Sequence, residues 1–191
     1  MTQYILLTGA PGSKWSSVAE SLSRSPDIDT SDSTSDRAYN NGEVKHRGSY
    51  FDPGMEFDNH RDNWDKPFSG TGQRIIKSHT FAHQLDELKS LPYPIVMVYR
   101  SHLECYDWWV QAGGFNITYP NYDYYENLEK MKEHIQNQNK DINRFILENL
   151  KKITCPVDNF DLCDHLGIKK PPLRDVIHNY ADKDIKVYVY R

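Results

Sequence analysis

The sequence predicts an α/β fold of three layers, a mostly parallel central sheet with helices on both faces. Three observations carry this. Tyr4–Leu7 is a short apolar run that leads through a Gly/Pro loop into an amphipathic helix. Two further apolar runs, Arg74–Lys77 (RIIK) and Ile95–Tyr99 (IVMVY), are each followed by helix-forming sequence, the alternation of a parallel sheet. A stretch from about 124 to 151 repeats apolar residues at steps of three and four, as a long helix packed on a core does. The 191 residues suit a single α/β domain over 1–191.

The first strand ends in Gly9, Pro11 and Gly12, and a helix is expected from about Trp15 to Arg24, stopped by Pro26. A strand, a tight loop and a helix N-terminus hold phosphate in many α/β proteins, because free N–H groups and the helix dipole face the anion. Here Lys14 supplies a charge, and Ser13, Ser16 and Ser17 supply hydroxyls. GAPGSKWS does not meet the strict pattern GxxxxGK[ST]: it lacks the glycine before Lys14, and Trp15 separates lysine from serine. Two readings stand, a variant P-loop or an ordinary strand–turn–helix start.

A long irregular insertion is expected after the first helix, over about 27–72. Its first part is polar and short-sided, yet Tyr50, Phe51, Met55, Phe57, Trp64 and Phe68 are anchors that pure disorder lacks. It is either a lid over a site or a decorative segment. Ser78, His79 and Thr80 follow the RIIK strand, and a helix is expected over about 81–89. Arg100 ends the IVMVY strand. Ser101 is placed to cap the next helix, which runs to about Gln111, with Glu104 at the third position of a capping box. Open α/β sheets bind ligands at the carboxyl ends of their parallel strands. Three such ends, Gly9–Ser17, Lys77–His79 and Arg100, carry groups suited to anions. The plainer alternatives are ion pairs for Lys77 and Arg100 and a hydrogen-bonded loop residue for His79.

The aromatic segment FNITYPNYDYY either lines a pocket or packs on the sheet. The long helix carries Leu128, Met131, Ile135, Gln138, Ile142, Phe145 and Asn149 along one stripe, with Ile146 and Leu150 beside it; Gln138 and Asn149 interrupt its apolar character. A brief strand at Ile153–Cys155 and a short helix over Val157–Leu166 ended by Gly167 follow. The C-terminal extension, about 169–191, holds a short helix at Leu173–Tyr180. It ends in the alternating run Ile185–Tyr190, read as an added edge strand or a strand for a partner chain.

A net charge of −4 argues against broad nucleic-acid binding. Cys105, Cys155 and Cys163 are odd in number and widely spaced, so no disulfide framework is expected and a reducing, cytoplasmic setting fits. No membrane segment or leader is read at the N-terminus. No metal site is expected, since His79 and His83 straddle a helix start and the cysteines are unpaired.

In order and strand context, three segments resemble the sulfotransferases that use 3′-phosphoadenosine-5′-phosphosulfate (PAPS). That family's first loop is written P-[KR]-[SG]-G-T-[TS]; Pro11–Ser17 (PGSKWSS) stands in its place. Its K-[TS]-H after a later strand is Lys77-Ser78-His79. Its R-N-P-x-D-x-x-x-S begins here at Arg100, within VYRSHLECYDW. Asp158–Ile168 resembles a helix that often closes such domains. The chain departs from the pattern at Gly12, where the family has a basic residue, and at Lys14, where it has glycine. It departs again at Ser101, His102 and Glu104, and at Trp108, where the family has the serine that contacts the 3′-phosphate.

The resemblance implies sulfuryl transfer from PAPS to a small hydroxyl or amine acceptor, leaving adenosine 3′,5′-bisphosphate, with no metal. It implies His79 as general base and Lys77 at the bridging oxygen. Gly12, Ser13, Lys14, Trp15, Ser16, Ser17 and Arg100 would hold the donor. The expected assembly is a monomer or weak homodimer that binds neither nucleic acid nor membrane. The alternative is a catalytically weak module on the same fold, binding a nucleotide, a phosphorylated ligand or a protein.

Overall fold

The computed structural model describes residues 4–31, 60–65, 68–111, 127–172 and 177–191. Most of the expected insertion and the aromatic segment after Gly114 therefore lie outside the described residues. Five strands form one sheet: β1 (Tyr4–Gly9), β2 (Arg74–Lys77), β3 (Ile95–Arg100), β4 (Ile153–Thr154) and β5 (Ile185–Tyr190), in the order β2-β1-β3-β5-β4. Among the described residues, five α-helices accompany them: α1 (Trp15–Ser23), α2 (Leu85–Leu88), α3 (His102–Gln111), α4 (Leu128–Glu148) and α5 (Asn159–Leu166).

Strands β2, β1 and β3 are parallel, with Tyr4 opposite Arg74 and Gly9 opposite Val98. Every residue of β1 and β2 is buried, as in strands covered on both faces. The sheet as a whole is mixed rather than mostly parallel, because β5 runs antiparallel to both β3 and β4. Nor is β5 an added edge: it lies between β3 and the two-residue β4. The physical reason is local. A 3-10 turn at Ala181–Lys183 and Asp184 in the left-handed region reverse the chain just before Ile185, which pairs with Arg100. The chain thus enters β5 at the carboxyl end of β3 and can only run back along it.

The helix expected over 81–89 is two shorter pieces. Ser78 extends the β2 ladder by donating its N–H to the Leu7 carbonyl (3.1 Å), and its hydroxyl accepts from the Thr80 N–H, starting a 3-10 turn at His79–His83. Helix α2 follows. Ser101 caps α3 as expected, accepting from the Glu104 N–H. Glu104 does not return the bond; its carboxylate turns to Arg100 instead. Asn127 caps α4 through the Lys130 N–H, and Asp158 caps α5, which Gly167 ends in the left-handed region. Of the stripe expected on α4, Met131, Ile135, Gln138, Ile142, Phe145 and Ile146 are buried, whereas Leu128 and Leu150 are exposed.

The main core gathers the sheet, α1, α2, α5 and the C-terminal half of α4. A smaller cluster of Ala10, Cys105, Trp109, Met131 and Ile135 joins the first loop to α3 and α4. That second cluster pins the β1–α1 connection to the carboxyl end of the sheet. Among the described residues, no helix is long and apolar enough to cross a membrane.

Candidate functional site

The connection from β1 to α1 is a tight structure with little room for substitution. Its Ser13 N–H returns to the Ala10 carbonyl at 3.0 Å. Gly12 has φ +81, and a Cβ there would lie 2.0 Å from the Cys105 carbonyl oxygen. Only glycine meets both conditions. A Cβ on Gly9 would in turn lie 2.6 Å from Ser13 Oγ. Lys14 follows with φ 66 and forms the N-cap position of α1 without a side-chain cap. The Ser17 N–H is already taken by the Lys14 carbonyl at 3.0 Å; the N–H groups ahead of it in the first turn have no intrahelical acceptor, an arrangement that suits an anion.

The three strand ends singled out in the sequence converge here. Lys77 is 0% exposed, and its ammonium lies 3.4 Å from Ser16 Oγ and 4.8 Å from the centre of the Trp15 ring. His79 is 3% exposed; its ring centre is 4.0 Å from that of Trp15, and Nδ1 lies 2.5 Å from the Gly9 carbonyl oxygen. Trp15, which breaks the sequence motif, is thus the surface against which both Lys77 and His79 are set. The carbonyl at Gly9 accepts only if Nδ1 carries the proton, which leaves the lone pair of a neutral ring on Nε2.

Arg100 closes the third side. Its guanidinium donates to the carbonyls of Gly12 (3.4 Å) and Glu104 (3.1 Å) and to the Glu104 carboxylate (3.2 Å). It therefore braces the loop from behind, with Nε buried and unmatched. Ser13 Oγ is likewise buried without a hydrogen-bond partner. Lys14 titrates below the ordinary lysine range, first because of partial burial and then because Arg100 and Lys183 repel its charge.

Two residues of the site carried no functional signal in the sequence. Gln138 donates from Nε2 to the His79 carbonyl at 2.7 Å, and Asn139 donates from Nδ2 to the Arg100 carbonyl at 2.8 Å. Both are buried, and Gln138 Oε1 and Asn139 Oδ1 have no partner. An unmatched buried acceptor costs about 1–3 kcal/mol. Lys183 carries no such signal either; the pairing of Arg100 with Ile185 is what brings it to the loop.

Trp108 is half-buried on α3. Burial pushes the Cys105 thiol up to about 12, so it remains protonated and packs as a small apolar group beneath the loop. Among the described residues, no group of three or more His, Cys, Asp or Glu is placed to hold a metal ion, and His83 pairs with Asp141 at 2.6 Å. Two clefts lie elsewhere, one of about 660 Å³ beside Asp29 and Gln73, the other of about 410 Å³ between Trp64 and Leu88. Neither is lined by Lys77 or His79. No family model, curated protein or solved structure matches this chain.

Proposed function

We propose that the protein transfers a sulfuryl group from PAPS to a small hydroxyl or amine acceptor. The observation that carries the reading is the convergence of Lys77 and His79 on Trp15, at the mouth of a glycine-hinged loop and a helix N-terminus. The loop is then a variant P-loop. Its donor set fits a 5′-phosphate or sulfate: N–H groups of the first turn of α1, the Ser16 hydroxyl, the orphan Ser13 hydroxyl, and the charges of Lys14 and Lys77. PAPS, when bound, supplies the activated sulfuryl group. Lys77 neutralises charge developing on the bridging oxygen. Gly12 and Trp15 shape the loop around the donor, with Ser17 one position further along the helix. The acceptor's proton goes to Nε2 of His79, whose Nδ1–H stays on the Gly9 carbonyl. Arg100 acts through the loop, since its guanidinium is engaged by Gly12 and Glu104.

One observation favours the non-catalytic alternative, a module that binds a nucleotide or phosphorylated ligand without turnover. His79 is nearly enclosed, and a base must reach its acceptor. His79→Asn separates the two. Acceptor-dependent release of adenosine 3′,5′-bisphosphate is expected to fall ~10²–10⁴-fold, the usual worth of a positioned base. Affinity for the bisphosphate is expected to stay within about twofold, because the base touches the acceptor. Undiminished turnover in the variant removes His79 from the chemistry.

A further inference from the structure

We infer that α4 is the positioning element of this site, with Gln138 fixing the imidazole of His79 through the His79 main chain. Gln138 occupies the buried stripe of α4 between Ile135 and Ile142, all three fully enclosed. An apolar side chain of the same length fills that space without leaving an amide oxygen unmatched. The glutamine is there because of what it holds. Its Nε2–H donates to the His79 carbonyl at 2.7 Å. Thr8 Oγ1 also faces that carbonyl, but at 3.5 Å, and it lies closer to the Ser78 carbonyl at 2.8 Å.

The ring of His79 is held on its other side by the Gly9 carbonyl and by Trp15. A backbone fixed from α4 and a ring fixed from the end of β1 together restrict the torsions of the side chain between them. The same turn of α4 reaches two further points. Asn139 holds the Arg100 carbonyl at the end of β3, and Asp141 holds His83 at the far end of the 3-10 turn that begins with His79. Residues 138–141 therefore tie the carboxyl ends of β2 and β3 to one rigid helix, on either side of the loop strand β1. Sites carried by such rigid elements hold their geometry more closely than sites on loops.

That His79 acts as a base rests on the sulfuryl-transfer reading; that Gln138 orients its ring does not. The test therefore reads the ring. In the wild type, NMR first measures the scalar coupling across the hydrogen bond from Gln138 Nε2 to the His79 carbonyl carbon; its absence overturns the inference even if no variant folds. Gln138→Met then keeps the length and removes the donor. The Nδ1–H resonance of His79 is expected to exchange with water roughly tenfold faster and to shift, because the bond to Gly9 loosens. Asn139→Leu, which leaves the His79 carbonyl untouched, is expected to retain the wild-type signal. An unchanged His79 resonance in Gln138→Met, or an equal loss in both variants, overturns the inference. Titration of the wild type with adenosine 3′,5′-bisphosphate is run beside it. Failure to bind counts against the donor reading alone, whatever the ring shows.

Discussion

Two buried cations stand at the two ends of one four-residue strand, and they are treated differently. Arg74, at the amino end of β2, meets acidic partners. It pairs with Asp29 at 3.6 Å and with Asp65, donates to the Gly70 carbonyl at 3.1 Å, and lies over the Phe68 ring. Tyr4 donates to the same Asp65 at 2.6 Å. Lys77, at the carboxyl end, faces a serine hydroxyl and an indole ring beside a helix N-terminus. The first end is an ion-pair cluster, although Arg74 Nε and Asp29 Oδ2 are buried without a hydrogen-bond partner. At the second, Lys14 stands near Arg100 and Lys183, and its charge is disfavoured first by burial and then by their repulsion. Charge arranged to be satisfied within the chain serves the fold. On the proposed function, the charges of Lys14 and Lys77 serve the donor instead.

The sharpest way to break this comparison is to remove each cation and measure stability. Arg74→Met leaves Asp29 buried and uncompensated, which is expected to cost ~3–5 kcal/mol in urea unfolding. Lys77→Met is a swap of similar shape in a packed place and is expected to cost less than ~1.5 kcal/mol. Equal losses at the two ends contradict the distinction.

A smaller effect sharpens it. Lys14 has a folded pKa below its ordinary value of 10.5, so the folded state binds fewer protons than the unfolded chain in the window below that value. Stability contributed by this group therefore rises as pH climbs through the window toward 10.5, as a charge disfavoured first by burial and then by Arg100 and Lys183 is discharged. Lys14→Met is expected to be slightly more stable than the wild type at neutral pH, with the gap closing near pH 10.5. Parallel pH profiles of the two proteins count against an unfavourable Lys14 charge in the folded state.

Much of this site was legible in the sequence because local rules reach it. An apolar run ending in Lys77 or Arg100 marks a strand end, and parallel strands bring such ends to one side. The alternation of β2 stops at Lys77, which lets Lys77 and His79 turn to the same ring. Trp15 is a break in a motif and one of the residues the resemblance places at the donor, but its contact with His79 was not legible, because a pattern records identity and not what a side chain lies against. Gln138 read as a polar interruption of a helical stripe. Its partner, the His79 carbonyl, is 59 positions away, and no periodicity reports a bond of that span. The alternation of Ile185–Tyr190 marked a strand with one apolar face but not its neighbours or direction. Those depend on the turn at Ala181–Asp184, and with them went the mixed sheet and the approach of Lys183.

The central claim is that the Lys77 end of β2 is built for an anionic donor, and calorimetric titration with adenosine 3′,5′-bisphosphate tests it most directly. The account predicts saturable binding at one site per chain, weakened about tenfold or more, ~1.4 kcal/mol, in Lys77→Met. Absence of binding to the wild-type protein, or the same affinity in a folded Lys77→Met, would contradict it.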